Sequence, residues 1–153
     1  MVEFALLGPL ALFLIFSIVV VAIIVTNYVQ LTNVARDGAR VAAICGSVPS
    51  AVMPDGSGAT CSDANVKSYV TNHLVAVPAG SVSPQIFVCT AQDVSNGTCN
   101  SSSRSSITYC QPGALVEIDM YYDQPLYMPF FNAFFGSNGT MRLNASAQAT
   151  CEQ

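Results

Sequence analysis

The period of hydrophobic and polar positions changes along this chain, and each change marks an element. From Phe4 to Val25 the run FALLGPLALFLIFSIVVVAIIV carries no charge. As a helix of about 22 residues it reaches roughly 33 Å, enough to cross a hydrocarbon layer of about 30 Å. Beyond it Tyr28, Leu31, Val34, Ala35, Ala39, Ala42 and Ala43 recur at helical spacing, while Asn27, Gln30, Thr32, Asn33, Arg36, Asp37 and Arg40 take the other positions. The pattern predicts one helix of about 40 residues, apolar all round at first and amphipathic afterwards. Gly46 and Val48-Pro49 should end it. Near its start Gly8-Pro9 is a point of flexibility, because Pro9 leaves the carbonyl of Ala5 without its usual donor and permits a kink or a local opening.

The run GSVPSAVMPDGSG, residues 46–58, reads as a loop. A shorter helix is expected after it, capped by Ser62 or Asp63, with Val66, Tyr69, Val70 and Leu74 on one face and Pro78 as its close. The period then falls to two. Short β runs are expected at Gln85 to Thr90 and Ser106 to Cys110. A half-buried strand is expected at Ala114 to Tyr122, where Val116, Ile118, Met120 and Tyr122 alternate with Leu115, Glu117, Asp119 and Tyr121. In the last strand Met141, Leu143, Ala145, Ala147 and Ala149 share a face against Arg142, Asn144, Ser146, Gln148 and Thr150.

Strands with one polar face imply an antiparallel sheet whose inner face needs cover, and the amphipathic half of the first helix can supply it. The expected fold class is therefore α+β. Residues 1–45 form a long apolar helix whose C-terminal half packs on a small sheet, and residues 46–153 form the head, a lollipop with a bare stick of roughly 25 residues. Such a stick must sit in lipid or against other copies of itself.

Composition narrows the function. Only 9% of the 153 residues are charged and 52% are hydrophobic, so the chain lacks the signature of disorder. Five scattered basic residues, Arg36, Arg40, Lys67, Arg104 and Arg142, against nine acidic ones leave no stripe for phosphates, which excludes nucleic acid as a partner. A cleaved signal peptide fits poorly, since Glu3 stands where its positive charges should be. Positive-inside counting puts Arg36 and Arg40 in the cytoplasm, whereas the cysteines that follow suit an oxidising compartment. The simplest resolution is a processed chain whose leader carried the orienting basic residues.

Cys45, Cys61, Cys89, Cys99, Cys110 and Cys151 form an even set with no C-x-x-C pair and only one histidine, which favours three disulfides over a metal site. Fifteen pairings are open; Cys45–Cys61 and Cys99–Cys110 would close short loops and leave Cys89 with Cys151. Asn96, Asn100, Asn138 and Asn144 head glycosylation sequons, which fits an exported surface. His73 lacks a nucleophile elbow and sits near a helix end where a cation is favourable, so no catalytic residue is assigned and no small-molecule substrate or cofactor is expected. Glu117, Asp119 and nearby Asp123 read as a solvated strand face rather than a calcium site, which needs six to eight ligands. Tyr121, Tyr122, Tyr127, Phe130, Phe131, Phe134 and Phe135 are either core beneath the sheet or a surface that meets a neighbouring subunit.

The N-terminal VEFALLGPLALFLIFSIVVV, followed by TNYVQLTNVARDGARVAA, resembles the TadE-like pilins of tight-adherence (type IVc) pili. That family shows a Val-Glu-Phe-Ala start, a proline in the apolar run and an Asn-Ala-Ala-Arg-Glu-Gly-Ala-Arg segment, here NVARDGAR at Asn33 to Arg40. VEIDMYYDQPLYMPFF and MRLNASAQATCE are similar to later parts of the family. The resemblance implies cleavage by a prepilin peptidase, residence in the inner membrane, extraction by the pilus assembly machinery and polymerisation into an extracellular homo-oligomeric filament. It aligns Glu3 with the family's glutamate near the mature N-terminus, though the usual cut leaves that residue fifth rather than third. A carboxylate in an apolar bundle needs a partner, and the free α-amino group of an adjacent subunit's first residue, Met1 in this chain, is available. Glu3, Phe4, Leu6, Leu7, Leu10, Phe13, Ile15, Phe16, Val19 and Ile23 are then the assembly residues, with burial worth about 1.5 to 3 kcal/mol per large side chain. A minor priming pilin, or an anchored tip adhesin meeting a surface or another pilin, is the alternative role.

Overall fold

The computed structural model describes residues 2–48, 51–97, 106–126 and 139–151, with the side chains of residues 2–6 and Tyr109 outside the description. α1 runs unbroken over Val2–Ser47, through Pro9, and ends at the expected Gly46 to Val48. Ser17 and Thr26 lie in its apolar half. Their hydroxyls donate to the carbonyls of Phe13 and Ala22, each at 2.8 Å, so neither needs water.

The head is a three-stranded antiparallel sheet in the order β1-β2-β3, formed by Gln85–Cys89, Leu115–Pro125 and Thr140–Thr150. β2 pairs with β3 along its full length, from Leu115 opposite Thr150 to Pro125 opposite Thr140. β1 reaches only from Gln85 opposite Asp119 to Cys89 opposite Leu115. Pro125 therefore lies where β2 has no partner on that side, a place a residue without an N–H tolerates. The alternation expected from sequence holds: Val116, Ile118, Met120, Tyr122, Leu143, Ala145 and Ala147 are buried, and they face α1 together with Ile86 and Val88.

The amphipathic half of α1 covers that face with Leu31, Val34, Ala35, Ala39, Ala42 and Cys45. Gly38 and Gly46 bring the backbones close. A Cβ on Gly38 would come within 2.5 Å of Val70 and 3.1 Å of Ile118, and one on Gly46 within 2.2 Å of the Cys110 Cβ and 2.7 Å of the Ile107 carbonyl. α2, Asp63–Asn72, packs Val66 and Val70 against α1 and is capped by Ser62, whose hydroxyl accepts from the Asn65 N–H. A short α3, Ala91–Ser95, opens with a capping box between Thr90 and Asp93.

Four local expectations need correction. α2 ends at Asn72 rather than near Pro78, because His73 leaves the helical region at φ −89°, ψ 0° and the Leu74 N–H turns to the Thr71 carbonyl, three residues back; Leu74 is still buried, beyond the helix. Residues 106–110 are not a strand. Ile107–Tyr109 form a 3-10 turn, with the Ser106 hydroxyl accepting from the Thr108 N–H and Asp63 accepting from the Ile107 N–H at 2.8 Å. These local partners replace a β neighbour, and Ile107 buries itself in the core. Asn27 is not on the polar face but buried, its amide donating to Gln124 Oε1 on the far end of β2. Finally, the bridges are Cys45–Cys61, as one expected pairing had it, and Cys110–Cys151, which overturns both Cys99–Cys110 and Cys89–Cys151. Cys89 is disulfide-bonded too, and Cys99 lies outside the described residues.

Candidate functional site

The surface that distinguishes this molecule is its own helix. Among the sequence-derived assembly residues, Leu7, Leu10, Phe13, Ile15, Phe16, Val19 and Ile23 are all exposed, from 65% at Leu10 to 40% at Ile23. Leu12, Leu14, Ile18, Val21 and Val25 are exposed as well, so the apolar surface encircles the helix instead of forming a stripe. Side chains of Met1, Glu3, Phe4 and Leu6 fall outside the described residues. The helix is long and apolar enough to cross a membrane, and its most apolar stretch is only 6% buried within the molecule.

The head holds the helix firmly from about Asn27 onward. Gln124 accepts from Asn27 and donates its own amide to the Pro125 carbonyl at 3.2 Å, so both buried amides are partnered at the junction of stick and head. On the other flank Gln30 accepts from the Ala76 N–H at 2.9 Å. The Cys45–Cys61 bridge, with Cα atoms 5.1 Å apart, ties the end of α1 to the loop before α2. Cys110–Cys151, at 5.7 Å, ties the 3-10 turn under Gly46 to the end of β3. The stick is thus a continuous helical extension of a stapled domain.

Chemistry elsewhere is sparse. His73 stacks on Tyr69, with ring centroids 4.1 Å apart, and its Nδ1 lies 2.8 Å from the Tyr69 carbonyl. Asp55 shares a small cleft of about 210 Å³ with His73 and Ser68, but its carboxylate is hydrogen-bonded by the Ser57 side chain and by the Ser57 N–H, which hold its pKa below the usual value. The three are not linked as a triad, since the ring nitrogen that would face the acid faces a carbonyl. Among the described residues no cluster of potential metal ligands exists. Glu117 and Asp119 project outward from β2 as the alternation requires, and partial burial raises the pKa of Asp119. Asp123 instead pairs with Arg142 at 2.8 Å, which lowers its pKa, and Arg142 also lies over the Tyr121 ring at 5.5 Å. Of the sequons, Asn96 caps α3 and Asn144 is exposed on β3, while Asn100 and Asn138 lie outside the described residues. So do Tyr127, Phe130, Phe131, Phe134 and Phe135; Tyr122 is core and Tyr121 is exposed.

A bare apolar helix continuing into a disulfide-stapled α+β head defines the class as pilin-like. Within that class the family model for TadE-like proteins matches residues 1–40. Over that N-terminal segment the chain is similar to TadE-like proteins, which agrees with the pilin-like architecture. No match was found among curated proteins or among solved structures.

Proposed function

We propose that this protein is a structural pilus subunit that is held in the inner membrane and then polymerises through α1 into an extracellular filament. One observation carries the reading: α1 is apolar on every side over its first half, yet continues without a break into the head core. A membrane anchor alone requires only the first feature. A filament requires both, because a force-bearing fibre must transmit the packing of its helical core into each head.

Glu3 fits the same reading, with the α-amino group of a neighbouring copy as the partner its charge requires among apolar helices. Prepilin peptidase and the assembly machinery are the partners this route implies, and the TadE-like match to the first 40 residues supports it. That family is structural rather than enzymatic. The test is the composition of fibres sheared from cells. This chain as their dominant band supports the filament role; trace amounts, with most chain left in the membrane fraction, replace it with the priming or tip role.

A further inference from the structure

Moving α1 from lipid into a bundle of like helices exchanges one apolar surrounding for another, so register between copies has to come from packing and polar contacts. Among the described residues the head carries two charged surfaces with no ion-pair partner. The first is a groove of about 880 Å³ between the C-terminal half of α1 and the end of the sheet, lined by Ile44, Val48 and Leu115 together with Arg36 and Arg40. Both arginines are exposed. Among the described residues the one ion pair is Arg142 with Asp123, so Asp37, on the same helix, is paired with neither.

The second surface is the outward face of β2. Glu117 lies between Phe87 and Gln148, and Asp119 between Gln85 and Ser146, so only neutral residues flank them across the strands. The spacings match: four residues on a helix rise about 6 Å and two on a strand about 7 Å. So do the levels. β2 runs antiparallel to α1, with Gln124 beside Asn27 at one end and Leu115 in the groove with Ile44 and Ser47 at the other. Interpolation between these ends sets Asp119 at the height of Arg36 and Glu117 at that of Arg40.

We infer that the Arg36–Arg40 groove of one copy receives the Glu117–Asp119 face of a second copy, set parallel beside it. This contact rests on the filament reading above. It joins two different patches, and a heterologous contact of that kind repeats into an open helix instead of closing a dimer. Lipid phosphate is a poorer occupant: Arg36 is 11 residues beyond Val25, about 16 Å along the helix, past a headgroup layer of roughly 5 to 8 Å.

The experiment uses two full-length variants, Arg36→Glu/Arg40→Glu and Glu117→Arg/Asp119→Arg, expressed singly and together, with the milder pair Arg40→Glu and Glu117→Arg alongside. Retained disulfides and protease resistance in detergent verify that each head is folded. Each variant alone should lose filaments by at least about tenfold, because like charges face each other, and co-expression should restore them, because each opposes the other's reversed patch. Folded variants that assemble alone like wild type, or that fail to recover together, overturn the contact. Capture of one tagged variant by the other from the membrane separates this claim from the filament reading. If wild type is absent from fibres but capture follows the charge pattern, the filament role fails and the contact stands; if capture ignores charge, the contact fails.

Discussion

Three glycines of α1 offer one chemical change, addition of a methyl group, in three surroundings. At Gly8 a Cβ meets nothing within 4 Å. Gly8→Ala should therefore leave the head as stable as before and gain up to about 1 kcal/mol of helix propensity. At Gly38 the Cβ would lie 2.5 Å from a Val70 methyl and 3.1 Å from the Ile118 Cδ1, both side-chain ends that can shift. Overpacking of that kind costs about 1 to 3 kcal/mol, from which the propensity gain of about 1 subtracts, so Gly38→Ala should cost about 0 to 2 kcal/mol. At Gly46 the obstacles are the Cys110 Cβ at 2.2 Å and the Ile107 carbonyl at 2.7 Å, both in a turn fixed by the Cys110–Cys151 bridge. Nothing there yields without moving backbone, and Gly46→Ala should cost more than about 3 kcal/mol. Chemical unfolding of the full chain in detergent, followed by near-ultraviolet dichroism of the head tyrosines, gives the ranking. A Gly46→Ala protein as stable as wild type, or one more stable than Gly38→Ala, would refute the close approach of α1 to the 3-10 turn.

Replacing Asn27 or Gln124 singly by Leu leaves the other amide buried without its partner and should lower stability by about 1 to 3 kcal/mol, whereas the double replacement should be close to neutral, a cycle measurable in the same unfolding assay. Loop-entropy scaling makes removal of Cys110–Cys151, which spans 41 residues, cost about 4 kcal/mol and removal of Cys45–Cys61, which spans 16, about 3; paired Cys→Ser variants should keep that order in their unfolding midpoints. Glu3→Ala should leave the chain folded and membrane-inserted but reduce sheared filament yield, and an unchanged yield would remove the proposed electrostatic role of this carboxylate.

The long helix, the two long strands and their buried faces are legible because period is set by backbone geometry and α1, β2 and β3 each run long enough to display it. Position 27 departs from the pattern for a physical reason: asparagine reads as solvent-facing unless a distant residue satisfies it, and Gln124 is 97 positions away. Residues 106–110 alternate like a strand, but the Asp63 carboxylate accepts from the Ile107 N–H and the Cys110 N–H turns back to the Ile107 carbonyl, which closes a 3-10 turn instead. The disulfide error has the same origin. Spacing favours short loops between cysteines, whereas the turn under Gly46 brings Cys110 beside the end of β3. Exposure of the residues proposed for assembly, Leu7 to Ile23, is readable from the unbroken apolar run. The groove beside Arg36 and Arg40 was not, since it exists only where α1 and the sheet end meet.

The most direct measurement is cryo-electron microscopy of the sheared fibres at a resolution that shows side chains. The account predicts a core of α1 helices, with Leu7 to Ile23 packed against neighbouring copies and the disulfide-stapled heads outside. Fibres whose density fits another chain throughout, with this protein confined to the membrane fraction, would contradict it.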